Sequence, residues 1–315
     1  FDWSIPKEWF VQEAYIITPD GKKICDFKDN NLHLLGYSIP FVGEISFDEL
    51  KKHLYTLRDQ PNAIPYVTSY YKERWGFCLS YDQFNTLGNG TYKVVINSTL
   101  FHGELNYGEL LIKGKSDREI FLSTYICHPS MANNELSGPV VLNAILDYIK
   151  QNYPKNKFTY RFVLLPETIG SIAYLSLFSE KMKENIISGF NLSCIGDEKA
   201  YSYVQSPYGN TMADKALLSA LRFKDNFHIY DFLERGSDER QYCSPGIELP
   251  VCTFCRSKFG KYDEYHTSAD NFKLVTENGL QGSLNVMKDI VDAFETCLYP
   301  KVTVPCEPQL GKRGL

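Results

Sequence analysis

The chain has 315 residues, 43% of them hydrophobic, with a formal net charge of −5 from 33 basic and 38 acidic side chains, enough length to bury a substantial core in one large domain or two ordinary ones. No block of like charge suggests nucleic acid or an anionic membrane as a partner, and no run approaches the roughly 18 apolar residues of a membrane span. Residues 1–20 open with Trp3, Pro6, Trp9 and Phe10, an aromatic entry expected to pack on the body of the protein. This opening lacks the basic start and apolar core of a signal peptide. It also lacks an initiator Met, so the start reads as trimmed. Pro19-Asp20-Gly21 then marks a turn.

From there to residue 114, Gly, Pro or Asn breaks short apolar runs about every 8 to 12 residues, the rhythm of a small β-rich unit. One helix is expected inside it, capped by Ser46 with Glu49 three residues on, its inner face made by Leu50, Leu54 and Leu57. The stretch from Ile64 to Phe77 is dense in Tyr, Trp and Arg. It suits either a wall of a substrate pocket or an aromatic seam between packed units. Beyond residue 115 the texture becomes alternating strands and helices. Strands are expected at 120–126, 160–165, 189–195 and 249–254, and helices at 138–151, 170–186, 212–222 and 278–298. The last carries Leu280, Leu284, Met287, Val291, Phe294 and Leu298 at helical spacing. Such alternation implies a mostly parallel sheet covered by helices on both faces.

The nine cysteines are an odd number scattered through apparent strands and loops, which suits free thiols in a reducing, cytoplasmic setting. Cys252 and Cys255 have the spacing of half a zinc ribbon, but no second pair follows and Cys252 lies in an apolar run, so a buried strand is the better reading.

The chemistry-bearing residues gather at strand ends. The first strand ends at His128, with Ser137 expected to cap the following helix and Pro139 in its first turn. The second ends at Glu167 and the third at Asp197-Glu198. After the fourth comes a loop with Asp263, Glu264 and His266. Ends of parallel strands share one edge, where open α/β sheets bind ligands. Mixed His and carboxylate donors there suit zinc, or manganese and cobalt, better than calcium or a thiolate centre.

The stretches TSYYKERWGFC, TYICHPSMAN, LSGP, PETIGSIAYL, GSDERQYCSPG, LPVC, EYHTSADN and CEPQLGKRG also carry a resemblance. The sequence resembles the zinc-dependent aminopeptidase family of the phosphorylase/hydrolase-like fold, in particular a bacterial aminopeptidase-like subgroup often linked to polysaccharide biosynthesis. The resemblance implies a three-layer αβα sandwich with a mostly parallel mixed sheet, formed by residues 1–20 and 115–315. Residues 21–114 would be an inserted β-rich lid, and a winged-helix-like domain would follow the point where this sequence stops.

It further implies zinc, as one or two ions, with His128 and Asp197 on the first metal and Glu167 and His266 on the second. Asn134 stands where the family has a bridging aspartate, so a second ion is expected to be weak or absent, and Asn134→Asp is expected to tighten it. A single Glu167 replaces the family's two consecutive glutamates. This stretch is not expected to fill both roles, so either Glu167 is the base beside a single metal, or another acid, Glu135, Glu198 or Glu264, deprotonates the water. Arg240 is expected to hold a substrate carboxylate or phosphate, Tyr242 to steady an oxyanion, and Tyr265 and Thr267 to orient His266. The implied activity is hydrolysis of an N-terminal peptide bond or an acylamino small molecule by activated water. A catalytically impaired binding or scaffold protein is the alternative, and a homo-oligomer is left open.

Overall fold

The structure, a computed structural model, describes residues 1–297 and 305–314. Leu298, the last residue of the expected long-helix spacing, lies outside the described residues, as does Leu315. The first unit contains β1 (Glu8–Ile17), β2 (Lys23–Ile24), β3 (Phe41–Ser46), α1 (Phe47–Leu50), β4 (Leu54–Tyr55), β5 (Phe77–Cys78), α2 (Tyr81–Asn85) and β6 (Thr91–Phe101). Strands β2, β1, β6 and β3 form an antiparallel sheet in that order, while β4 and β5 pair separately. Alternate residues of β1 and β6 turn inward, so Ala14, Ile16, Tyr92, Val94 and Ile96 join Leu50, Phe77 and Leu79 in its core. Ser46 caps α1 through the backbone N–H of Glu49, as expected. The helix is shorter than its leucine spacing suggested, because the chain tightens into a 3-10 turn and Leu54 already lies in β4.

The second unit contains β7 (Gly108–Ile112), β8 (Ser116–Tyr125), α3 (Ser137–Asn152), β9 (Phe158–Leu165), α4 (Ile169–Asn185), β10 (Ile186–Leu192), β11 (Tyr201–Val204), α5 (Met212–Leu221), β12 (Phe227–Tyr230), α6 (Glu239–Tyr242), β13 (Val251–Cys255) and α7 (Glu277–Thr296). Its seven strands run in the order β12, β11, β13, β10, β8, β9, β7. Strands β13, β10, β8 and β9 are mutually parallel, while β7 and β11 pair antiparallel with their inner neighbours. Ile120 and Leu122 face the core shared with α3, α5 and α7, whereas Phe121 faces the core shared with α4 and α6. This is the expected three-layer αβα arrangement. Cys252 and Cys255 are free, buried thiols within β13.

The division expected at residues 20 and 114 is displaced by strand pairing. Strand β1 belongs to the small unit, since Glu8 to Ile17 pair with Phe101 to Lys93 of β6. Strand β7 belongs to the large sheet through β9. Neither partnership is local in sequence, so texture alone misplaces both edges.

The chain leaves β8 through α3 to reach β9 on one side, then leaves β9 through α4 to reach β10 on the other. With α3 and α4 on opposite faces, the carboxyl end of β8 is a topological switch point where a crevice must open. Gly138 lets α3 start close against this strand, since a Cβ there would lie 2.0 Å from Thr124 Oγ1.

Candidate metal centre

The turn after β8 is shaped by carboxylates that hold backbone. Glu135 Oε2 accepts the N–H groups of Cys127 and His128 at 2.9 and 2.5 Å. Asp270 Oδ1 accepts those of Ala132 and Asn133, and its Oδ2 that of Asn134 at 3.0 Å. Residues Ala132–Leu136 form a single π-helical turn, whose orphan N–H groups Asp270 satisfies. Ser137 is therefore inside the helical path and not its cap. Its hydroxyl donates to the Asn133 carbonyl and accepts from Ile195 N–H.

At the end of β9, Ile169 N–H bonds back to the Glu167 carbonyl at 2.8 Å around Thr168, whose φ and ψ are 65° and −70°. This is the rare, strained form of γ-turn, a conformation that persists only where its surroundings enforce it. Asp238 enforces it, accepting Thr168 N–H at 2.8 Å and Ser171 Oγ at 2.7 Å. Glu167 is thereby aimed at His128, with its Oε2 3.7 Å from His128 Nε2 and its Oε1 held by Ser237 Oγ at 2.7 Å. His266 completes the group, its ring centroid 5.4 Å from that of His128. Tyr265 stacks on it at 3.9 Å, whereas Thr267 bonds the Glu264 carbonyl and shapes the turn.

Burial, then the nearby His266, pushes the His128 pKa down to about 3, and burial pushes His266 down to about 4. Both rings are thus neutral donors at neutral pH. Burial and the charge of Asp238 drive the Glu167 carboxyl upward, against the Ser237 hydrogen bond and Arg240. His266 Nε2 is buried without any hydrogen-bond partner. Of the seven such side-chain atoms among the described residues, His266 Nε2, Arg240 Nε, Asp238 Oδ2 and Asn134 Nδ2 all belong to this region. Buried polar atoms are rarely left unpaired unless something else binds there. Two neutral imidazoles beside a carboxylate are donor types that suit zinc, and the tightest group of such donors among the described residues joins His128 to Cys127 and Glu135.

The other expected residues stand elsewhere. Asp197 is fully buried, and its two oxygens accept Asn133 Nδ2, Ser257 N–H, Ser257 Oγ and Lys199 N–H. Glu198 is exposed and bonded by Thr276, while both oxygens of Glu264 are taken by Lys199. Those two acids line a separate depression with Gln60 and Lys273. Tyr242 lies under the sheet, bonded to Ser123 at 2.8 Å with its ring against Phe121, and faces no cleft. Asn134 accepts the Tyr125 hydroxyl and the Cys194 thiol, and Tyr125 in turn meets Ser193 at 2.8 Å. This neutral cluster offers no charged donor to a second cation.

Above His128, Glu167 and His266 opens a cleft of about 790 Å³ between the two units, lined also by Arg240, Tyr66, Tyr70, Tyr37 and Trp9. The aromatic stretch from Ile64 thus supplies a wall of the cleft, and Trp75 of the same stretch packs inside the small unit. Tyr66 N–H bonds the His266 carbonyl at 2.8 Å, Pro65 bridges Thr267, and the Tyr66 ring meets both histidines. Sequence reading gave no role to Asp270, Tyr125 or Ser193, and took Tyr66 only as part of the aromatic stretch. Asp270 does lie in the ligand-bearing loop, where an acid followed by Asn at a loop end is a visible capping signal.

The sequence matches the profile of a family described as "Domain of unknown function (DUF4910)" over residues 1–297. It is 43% identical over 317 residues to a Clostridium acetobutylicum protein provisionally named for polysaccharide biosynthesis with an aminopeptidase-like domain, covering 100% of this chain and 72% of that one. A crystal structure from the same organism, provisionally named a peptidase, superposes with a TM-score of 0.91 at 43% identity, covering 100% of this chain and 74% of the other. BSAP, a zinc aminopeptidase from Bacillus subtilis, shares the fold at a TM-score of 0.64 and 13% identity, over 92% of this chain and 83% of that one.

Proposed function

This chain belongs to the DUF4910 family, and from that premise we propose that it is a one-zinc hydrolase of amide bonds, acting on an N-terminal peptide or acylamino bond. The observation that carries this reading is the pairing of His128, itself set against Glu167, with His266, whose buried Nε2 has no partner. His128, His266 and Glu167 would hold the ion. When bound, it supplies Lewis acidity toward water and the scissile carbonyl.

The chain's own residues do the rest. Glu135 fixes the backbone that presents His128, and Tyr265 and Tyr66 fix the His266 ring. Of the three acids lining the cleft, Glu167 is the one against His128, whereas Glu8 is bonded to Glu104 N–H and Glu104 itself is exposed. Glu167 therefore takes the proton from water and returns it to the leaving amine. One carboxylate serving as both ligand and base predicts slow turnover. The free cysteines support a cytoplasmic setting.

Metal analysis of protein purified without chelator should find about one zinc per chain, with His128→Ala and His266→Ala each losing most of it. Protein with no transition metal at all would overturn the reading. Glu167→Gln should abolish cleavage of amide probes.

A second reading, a binding or scaffold protein in polysaccharide biosynthesis that keeps the ion without turnover, is favoured by the neutral Asn134–Tyr125 cluster and by the name of the Clostridium relative. Retained zinc with no cleavage across a panel of aminoacyl and acylamino-sugar probes would select it.

A further inference from the structure

Arg240 stands apart from the other cations of the fold. It lines the cleft, its Nε is buried without a partner, and it makes no ion pair among the described residues. Its one side-chain hydrogen bond among the described residues runs from Nη2 to Thr168 Oγ1, which places the guanidinium one residue past Glu167. The carboxylates next to Arg240 in sequence are engaged elsewhere, Glu239 by Gly236 N–H, Ser237 N–H and Asn191, and Asp238 through Oδ1 by Thr168 N–H and Ser171, and both lie outside the cleft lining. Glu167 and Asp238 feel the Arg240 charge but neither is within ion-pair distance, and a partly buried guanidinium without a directly paired carboxylate is costly unless an anion arrives to meet it. The other cation of the lining, Lys7, is exposed, and a single partly buried guanidinium matches the single charge of a carboxylate better than the nearly double charge of a phosphate.

The opposite side of the cleft is apolar and ring-lined. Trp9 stacks on Tyr37 at 5.6 Å, Tyr37 packs on Tyr70 at 4.7 Å, and Tyr66 covers the two histidines.

We propose that Arg240 and Thr168 form a carboxylate subsite beside Glu167, so that the substrate is a short amide acid of the N-acyl amino acid or dipeptide kind, its apolar or ring-bearing part lying on the Tyr66, Tyr70, Tyr37 and Trp9 wall. The inference rests on the hydrolase reading and narrows it. A long polypeptide, whose carboxylate is remote from the scissile bond, is a poor fit, as is a neutral amide.

The test compares binding of N-acetyl-L-tryptophan with that of its uncharged carboxamide to the full chain, by calorimetry, with zinc measured on the same samples. The acid should bind about tenfold tighter or better, as expected for a charge-assisted pair. Arg240→Gln should erase that preference with zinc content unchanged, and Arg240→Lys should restore part of it. Equal binding of acid and amide by the natural chain would overturn the proposal. So would an acid preference that survives in Arg240→Gln and vanishes on chelation, because the metal would then be reading the carboxylate. Inorganic phosphate competing more strongly than acetate would also overturn it. Protein that lacks zinc but keeps the Arg240-dependent preference would sink the hydrolase reading while leaving the subsite standing.

Discussion

Asn134 shows how one atom changes what a fold can hold. Its Oδ1 accepts the Tyr125 hydroxyl and the Cys194 thiol in a fully enclosed setting, so an aspartate there would be a buried charge with no cation to answer it. The sequence-based expectation that Asn134→Asp tightens a second metal therefore reverses. The variant should lose about 2–4 kcal/mol of stability in chemical denaturation and still bind a single zinc ion. Two ions per chain in that variant would refute this. Sequence reading picked out His128, Glu167 and His266, each at or beyond the end of an apolar strand, and the structure brings the three to one cleft. That reading went wrong at Asp197 because β10 stops at Leu192. The residue meeting Tyr125 is then Ser193, and Asp197 has already turned into its own nest of donors.

Among elements, capping by carboxylates recurs, and α5 offers its cleanest test. Asp214 accepts Tyr203 and Ser206 hydroxyls, Ser206 N–H, and Thr211 N–H and Oγ1, making a capping box that also ties α5 to β11. Burial works to raise its pKa, but the hydrogen bonds from Ser206, Thr211 and Tyr203 outweigh it and hold it below the usual value. A depressed folded pKa means stabilisation that is complete above the unfolded value, about 4, and is lost as pH falls through the folded one. Asp214→Ala should cost about 2–4 kcal/mol at pH 7 through the donors it leaves unpaired. The gap between the two proteins should narrow below pH 4, and a gap independent of pH would contradict the argument. The four long helices were legible because apolar spacing of three or four is a local property. The π-turn at 132–136 and the γ-turn at Thr168 were not, since each is held by an acid from a distant loop, Asp270 and Asp238.

For the whole molecule, layer order and sheet direction followed from the alternation of strands and helices, whereas the edges between units depended on the pairing of β1 with β6 and β7 with β9. Those pairings also decide what the small unit can do. It is fastened where His266 turns, by the Pro65–Thr267 bridge, by Tyr66 N–H on the His266 carbonyl, and by Ser268 N–H on the Ile64 carbonyl. The backbone that presents His266, the proposed metal donor, and the backbone that presents the aromatic wall are one ladder. Occupancy of either place is consequently felt at the other, and by thermodynamic reciprocity the factor must be the same in both directions. An apolar amide acid seated on Tyr66 should slow the escape of zinc to a chelator, and zinc should tighten the acid by an equal ratio. Replacing Tyr66 by Ala keeps the ladder but removes the ring that touches both histidines, and should weaken both bindings while sparing part of the coupling, as expected if the small unit acts as a clasp whose grip is set by its cargo.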